Sequence, residues 1–96
     1  MKRDDALQRL RENRKELRSF GVARLALFGS VARDTATPES DVDILVAFDH
    51  PVGLFHFIRL KHFLESILDA QVDLTTQEAL DPRLRDEILQ ELVNAA

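Results

Sequence analysis

The chain has no cysteine, tryptophan or tyrosine among its 96 residues. Without cysteine, disulfides, thiolate catalysis and cysteine metal sites are all excluded. The longest uninterrupted apolar runs, residues 25–28 and 44–48, are far shorter than the ~20 residues that a membrane-spanning helix needs. Residues 1–10 are charged from the second position onward and lack the apolar core of a signal peptide. Together these absences predict a cytoplasmic protein that does not associate with membranes.

Acidic side chains outnumber basic ones, and the net charge is −4. Residues 1–20 are an exception, with seven basic and four acidic side chains, whereas the remaining residues carry six basic and thirteen acidic ones. A solvated N-terminal helix is the simpler interpretation of this basic segment, and a basic face for an acidic partner is the alternative. The acidity of the chain as a whole predicts that the protein does not bind DNA directly.

Hydrophobic periodicity predicts four helices and three strands along the chain. The predicted helices cover residues 4–20, 31 to 33 or 34, 54–68 and 82–93, and the predicted strands cover residues 24–28, 41–48 and 72–75. In the last helix, Pro82 suits the first turn, and the predicted inner face contains Leu84, Ile88, Leu89 and Leu92.

This order of elements predicts an α/β (α+β) fold with a small mixed β-sheet of three or more strands, flanked by helices. The apolar residues after Asp43 indicate that the second strand is covered on both faces. A chain of this length is enough for one compact domain and too short for two. We therefore expect a single domain over residues 1–96.

Asp41 and Asp43 form the first candidate site. Side chains two residues apart on a strand point to the same face of the sheet. Two adjacent carboxylates repel each other unless a positive charge lies between them, and Mg²⁺ binds carboxylate and phosphate oxygens together. The alternative is a solvent-facing strand end with two unrelated acids, and for this short motif alone that alternative is the simpler one.

Gly29, Ser30 and Arg33 form the second candidate site, at the end of the first predicted strand. A glycine there lets the backbone approach a ligand closely. Ser30 is predicted to cap the short helix that follows, which would offer a hydroxyl and backbone N–H groups to an anion. Arg33 lies one turn later and could hold a second phosphate oxygen. The alternative is a turn glycine, a capping serine and a surface arginine.

The two candidate sites are stronger evidence together than either is alone. Ten residues separate Ser30 from Asp41, and one Mg²⁺-bound triphosphate could contact both sites.

Asp73 is a third acid, on the short predicted strand of residues 72–75, with Val72 and Leu74 on the opposite face. If that strand lies beside residues 41–48, Asp73 would complete a two-metal site. The alternative is an aspartate at the edge of the sheet.

Residues 27–33 (LFGSVAR) and 40–46 (SDVDILV) resemble the signature of the DNA polymerase β-like nucleotidyltransferase superfamily. The short chain and residues 80–88 resemble its minimal branch, the MNT domain proteins. The resemblance implies a nucleotidyltransferase-like fold, with ATP as the nucleotide donor and two Mg²⁺ ions. One departure is Asp34, where many relatives carry glycine. The implied ligands of the nucleotide are Gly29, Ser30 and Arg33, and the implied catalytic metal ligands are Asp41, Asp43 and Asp73.

The resemblance also implies a partner. Many MNT proteins resemble antitoxins that transfer AMP from ATP onto a tyrosine of a HEPN-type ribonuclease toxin. A homo- or hetero-oligomer is therefore one possible assembly for this chain. Because this chain has no tyrosine, such an acceptor would have to lie on another molecule. Two alternatives are an antitoxin that masks its partner by binding alone, through the basic helix of residues 2–18, and a nucleotidyltransferase that modifies a small molecule such as an antibiotic.

Overall fold

The computed structural model describes residues 1–95, which form helices on both sides of a four-stranded sheet. The strands follow apolar segments rich in valine, leucine and isoleucine, as expected for a sheet with two covered faces. The α-helices are α1 (Arg3–Glu12), α2 (Arg14–Ser19), α3 (Gly29–Ala32), α4 (Leu54–Leu68) and α5 (Arg85–Gln90). The strands are β1 (Val22–Phe28), β2 (Val42–Phe48), β3 (Val72–Thr75) and β4 (Val93–Asn94), and a short 3-10 helix covers Gln77–Ala79.

The single N-terminal helix predicted for residues 4–20 is instead divided into α1 and α2 at Asn13. The Asn13 side chain donates a hydrogen bond of 2.8 Å to the carbonyl oxygen of Arg9. Asparagine side chains compete in this way with the backbone bonds of a helix. The predicted apolar spacing nevertheless holds across the break, because Leu7, Leu10 and Leu17 are all buried.

The sheet is mixed, in the order β3-β2-β1-β4. Strand β1 runs antiparallel to β2 and β4, whereas β2 and β3 are parallel. A parallel pair needs a long crossover connection, and α4 provides it. The predicted fold class, a small mixed sheet flanked by helices, is confirmed.

The two faces of β2 have different surroundings. Val42, Ile44 and Val46 are almost fully buried in the main core with α1, α2 and α4. On the opposite face, Leu45 is buried in a smaller cluster with Phe28 and Leu80, and side chains of α5 and the residues after it pack on that cluster. The prediction that β2 is covered on both faces is confirmed at Leu45, whereas Ala47 is exposed.

The C-terminal region differs from its prediction. The last helix begins at Arg85 rather than Pro82, because residues 81–84 form a turn closed by the Leu84 N–H and the carbonyl of Asp81. Leu84 is therefore 48% exposed and does not join the inner face. Val93, predicted as helical, belongs to β4, which pairs with β1.

The longest helix in the described part of the chain is α4, with 15 residues. Its buried stripe is Leu60, Leu64 and Leu68, at the spacing of one helical turn. No helix within residues 1–95 has the length and apolar character needed to cross a membrane.

Candidate active site

The registers of β1, β2 and β3 bring two of the predicted acids side by side. Asp43 is paired with Phe28 of β1 on one side and with Asp73 of β3 on the other. Paired residues of neighbouring strands point to the same face of a sheet, so both carboxylates lie on the face opposite the main core. Val72 and Leu74 are buried, as predicted, and Asp73 is exposed. The condition for a shared acidic site, that β3 lies beside β2, is met.

The acid of the site with a shifted pKa is Asp43, which is half-buried. Its pKa is raised from 3.8 to about 6, first by burial and then by the charges of Asp73 and Asp41. A hydrogen bond with Asp73 raises this pKa further, whereas the positive charge of Arg33 lowers it. Negative charge in this cluster is therefore costly until a cation or a proton enters it.

Gly29 makes room for this acid. Its φ of +70° lies in the left-handed region, which side chains with a Cβ rarely adopt. A Cβ at Gly29 would also lie 2.1 Å from Oδ2 of Asp43. The group that lies close to the backbone of Gly29 is thus the Asp43 carboxylate, and the close approach of a ligand stays a prediction.

Ser30 does not cap the short helix, contrary to the prediction. Helix α3 begins one residue earlier, at Gly29, and its first turn is closed by the hydrogen bond from the Arg33 N–H to the Gly29 carbonyl. Ser30 therefore lies inside the first turn. Its carbonyl oxygen accepts a hydrogen bond of 2.8 Å from the Thr35 N–H, which holds the start of the following loop.

Arg33 contacts a residue that sequence reasoning missed. Its Nη1 lies 2.9 Å from Oε2 of Glu91, and the Gly29 N–H donates a 3.0 Å hydrogen bond to Oε1 of the same carboxylate. One glutamate therefore bridges two groups that were predicted to hold phosphate. No local pattern marks Glu91 in the sequence, since its position depends on how β4 pairs with β1.

The acidic residues suit a divalent cation only together with a substrate. Across residues 1–95, no three histidine or acidic side chains are arranged as a complete metal site. Mg²⁺ in phosphate-handling enzymes is commonly held by one or two carboxylates together with substrate phosphates and water. Asp43 and its neighbour Asp73 match that donor set, and Asp41, predicted as the first residue of the strand, instead lies immediately before β2.

The sequence matches the model of the nucleotidyltransferase domain family over residues 7–94. The protein adenylyltransferase MntA of Thermococcus cleftensis is 41% identical over 85 residues, which cover 88% of this chain and 86% of that protein. A Methanocaldococcus jannaschii protein assigned to the same activity is 42% identical over 78 residues, or 81% of this chain and 84% of that protein. The similarity therefore extends over most of both chains.

Solved structures share the fold. One assigned as a minimal nucleotidyltransferase is 36% identical, with a TM-score of 0.83 over 97% of this chain and 95% of that chain. A chain of a toxin–antitoxin structure with AMP-PNP is 25% identical, with a TM-score of 0.74 over 91% and 72% of the two chains. The fold is also shared by a chain of the complex between a tri-AMPylated Shewanella oneidensis HEPN toxin and an MNT antitoxin. That chain is 22% identical, with a TM-score of 0.68 over 95% of this chain and 71% of that chain. With its signature residues gathered at one end of this sheet, the chain belongs to the nucleotidyltransferase domain family.

Proposed function

We propose that this protein is a single minimal nucleotidyltransferase domain that transfers AMP from ATP to a hydroxyl group of a partner protein. The observation that carries the proposal is the pairing of Asp43 with Asp73 beside Gly29. This arrangement gathers carboxylates next to backbone and guanidinium groups that can hold phosphate. Metal-assisted transfer of a phosphoryl-type group needs both kinds of group within the length of one triphosphate.

The comparisons support protein as the acceptor. The Thermococcus cleftensis relative is itself named a protein adenylyltransferase, and a structural neighbour is a toxin–antitoxin complex with AMP-PNP. We therefore propose a HEPN-type toxin as the partner and a tyrosine on that toxin as the acceptor, since this chain contains no tyrosine. The reaction consumes ATP, and the cytoplasm, which supplies ATP, is the compartment that the proposal requires.

The phosphates would be held by the groups that surround Gly29. Its N–H and the Arg33 guanidinium can each donate a hydrogen bond to a phosphate oxygen, and the Ser30 hydroxyl lies in the same turn. Asp41, Asp43 and Asp73 would hold Mg²⁺ together with phosphate oxygens. When bound, Mg²⁺ would neutralise phosphate charge and lower the pKa of the attacking hydroxyl.

The transfer itself is an in-line substitution at the α-phosphorus. A bond forms between the acceptor oxygen and the α-phosphorus, and the bond from that phosphorus to the bridging oxygen of the β-phosphate breaks. Pyrophosphate leaves with the electron pair of the broken bond. Asp73 would accept the proton of the hydroxyl, and its exposure, greater than that of Asp43, supports this role. Positioning of both substrates supplies much of the acceleration.

The proposal is tested by mixing the protein with Mg²⁺, ATP and its cognate HEPN partner and measuring the mass of the partner. We expect the partner to gain the mass of one or more AMP groups. Asp43→Asn is expected to lower the rate about a hundred- to a thousandfold, because metal-assisted charge stabilisation contributes several kcal/mol. Asp49→Asn is the matched control, since Asp49 lies just beyond β2, roughly 20 Å along the strand from Asp43 at ~3.3 Å per residue.

An unmodified partner, or equal rates for wild type and Asp43→Asn, would refute the proposal. A partner that is neutralised equally well by Asp43→Asn, without gaining mass, would instead show that the protein acts by masking. Modification of a small molecule in place of the partner would identify the protein as a small-molecule nucleotidyltransferase.

A further inference from the structure

We propose that Glu91 is a built-in competitor of the nucleotide, whose carboxylate occupies the phosphate-binding groups of the free protein and must leave when a triphosphate binds. This inference rests on the proposed function, because that function assigns the Gly29 N–H and the Arg33 guanidinium to phosphate. It adds a residue that controls access to those groups.

The contacts of Glu91 are those expected of a phosphate substitute. One carboxylate oxygen accepts from the Gly29 N–H at 3.0 Å, and the other lies 2.9 Å from Nη1 of Arg33. Only 24% of the Glu91 side chain is exposed, whereas 54% of the Arg33 side chain is. A carboxylate that uses both oxygens to bridge two donors makes the same kind of charge-assisted contact as a phosphate does.

The sheet places Glu91 at this position. Strand β4 is paired with β1 so that Val93 lies opposite Leu27 and Asn94 lies opposite Ala26. Continuing the same antiparallel register by two residues places Glu91 opposite Gly29, where the hydrogen bond is found. The contact is therefore a product of the strand pairing rather than of a freely moving surface side chain.

Glu91 and a phosphate oxygen cannot both use these donors. The Gly29 N–H has a single hydrogen to donate, and a second anion at Arg33 would repel the Glu91 carboxylate. Binding of the triphosphate is thus an exchange in which two contacts pass from Glu91 to phosphate. The loss of the two Glu91 contacts lowers the net affinity for the nucleotide. In the free protein, the contact with Glu91 holds Arg33 in the site.

Calorimetric titrations test this exchange with three probes: inorganic tripolyphosphate with Mg²⁺, ATP with Mg²⁺, and adenosine. Glu91→Gln keeps the shape of the side chain and removes its charge. We expect it to bind tripolyphosphate and ATP about three- to tenfold more tightly than wild type, the range for one or two modest hydrogen bonds. Adenosine, which has no phosphate, should show no change.

Glu87→Gln is the matched control, because Glu87 is an exposed glutamate one helical turn earlier on α5, and it should bind all three probes as wild type does. Equal or weaker binding of tripolyphosphate by Glu91→Gln would overturn the inference, as would an absence of tripolyphosphate binding in both proteins.

The wild-type protein offers a second test that is independent of how well the variant folds. In NMR titrations with tripolyphosphate and Mg²⁺, the Gly29 amide and the Glu91 side-chain carboxyl resonances should shift with the same midpoint. A Glu91 resonance that does not move while Gly29 responds would overturn the proposed exchange of Glu91 for phosphate.

An enzymatic measurement separates this inference from the proposed function. AMP transfer with an unchanged KM for ATP in Glu91→Gln would refute this inference alone, whereas a positive titration without any AMP transfer would refute only the proposed function.

Discussion

The two faces of the sheet differ in what they contain, although the same strands build both. On one face, Val42, Ile44 and Val46 of β2 are packed under α1, α2 and α4. On the other, the intervening residue Asp43 lies beside Asp73 in a partly open cluster of charges. Because side chains alternate along a strand, the residues of the main core and the residues of the candidate active site are neighbours in sequence but lie on opposite faces of the sheet.

This separation shows that the acid cluster lowers the stability of the fold rather than adding to it. The covered face gains free energy from each buried apolar side chain. The open face instead holds Asp43, whose pKa is raised first by burial and then by the charges of Asp73 and Asp41, so that its ionised form is costly. Substitutions in the main core and in the acid cluster should therefore change the free energy of unfolding in opposite directions.

The largest expected effect is on the covered face. Ile44→Ala removes a side chain that is 0% exposed and leaves a cavity in the main core, so we expect it to lower the free energy of unfolding by about 2–5 kcal/mol. Denaturant unfolding monitored by circular dichroism measures this change. A loss of similar size in Asp43→Asn would contradict the division between the two faces.

The second effect lies at the boundary between the faces. Gly29→Ala places a Cβ in the left-handed region and against the Asp43 carboxylate, and we expect a loss of about 1–3 kcal/mol in the same unfolding experiment. AMP transfer should fall as well, because Asp43 has to rotate away. Gly53→Ala is the control, since a Cβ at Gly53 meets nothing within 4 Å, and wild-type stability in Gly29→Ala would disprove the close approach.

The smallest effect concerns pH on the open face. The pKa of Asp43 rises from 3.8 to about 6 on folding, so between these values the folded protein binds a proton that the unfolded chain does not. The free energy of unfolding contributed by this group is then present at low pH and lost as the pH rises through about 6.

Without Mg²⁺, Asp43→Asn should therefore become more stable than wild type as the pH rises from about 4 to 7, by about 1 kcal/mol after allowance for solvent screening. Thermal unfolding of both proteins across this range in the presence of a chelator measures the difference. A difference that does not change with pH would show that the acid cluster imposes no such cost.

The sequence predicts the face on which each of Asp43 and Asp73 lies, because the relevant signal is local. Alternation along residues 41–48 assigns Asp43 to the face opposite Val42 and Ile44, and the same pattern assigns Asp73 to the face opposite Val72 and Leu74. The structure confirms the burial of these apolar residues. The alignment of Asp43 with Asp73 depends on strand order, which the alternation alone does not specify.

The sequence does not predict β4 or the role of Glu91, because both depend on pairing between distant segments. Two residues, Val93 and Asn94, are too few to show a strand period, and the helical pattern before them extends naturally over Val93. The break at Asn13 was missed for a different reason, since a side chain that competes with the backbone leaves the apolar spacing of a continuous helix intact.

The position of β3 in the sheet has a consequence for self-association. Its four residues form one edge of the sheet, and the free edge of a strand is a template for pairing with another molecule. A short edge strand that carries a charge resists such pairing, and the charge on β3 is Asp73. The same carboxylate would then serve catalysis and keep neighbouring molecules from adding a strand, so light scattering of Asp73→Asn should accompany any measurement of its activity.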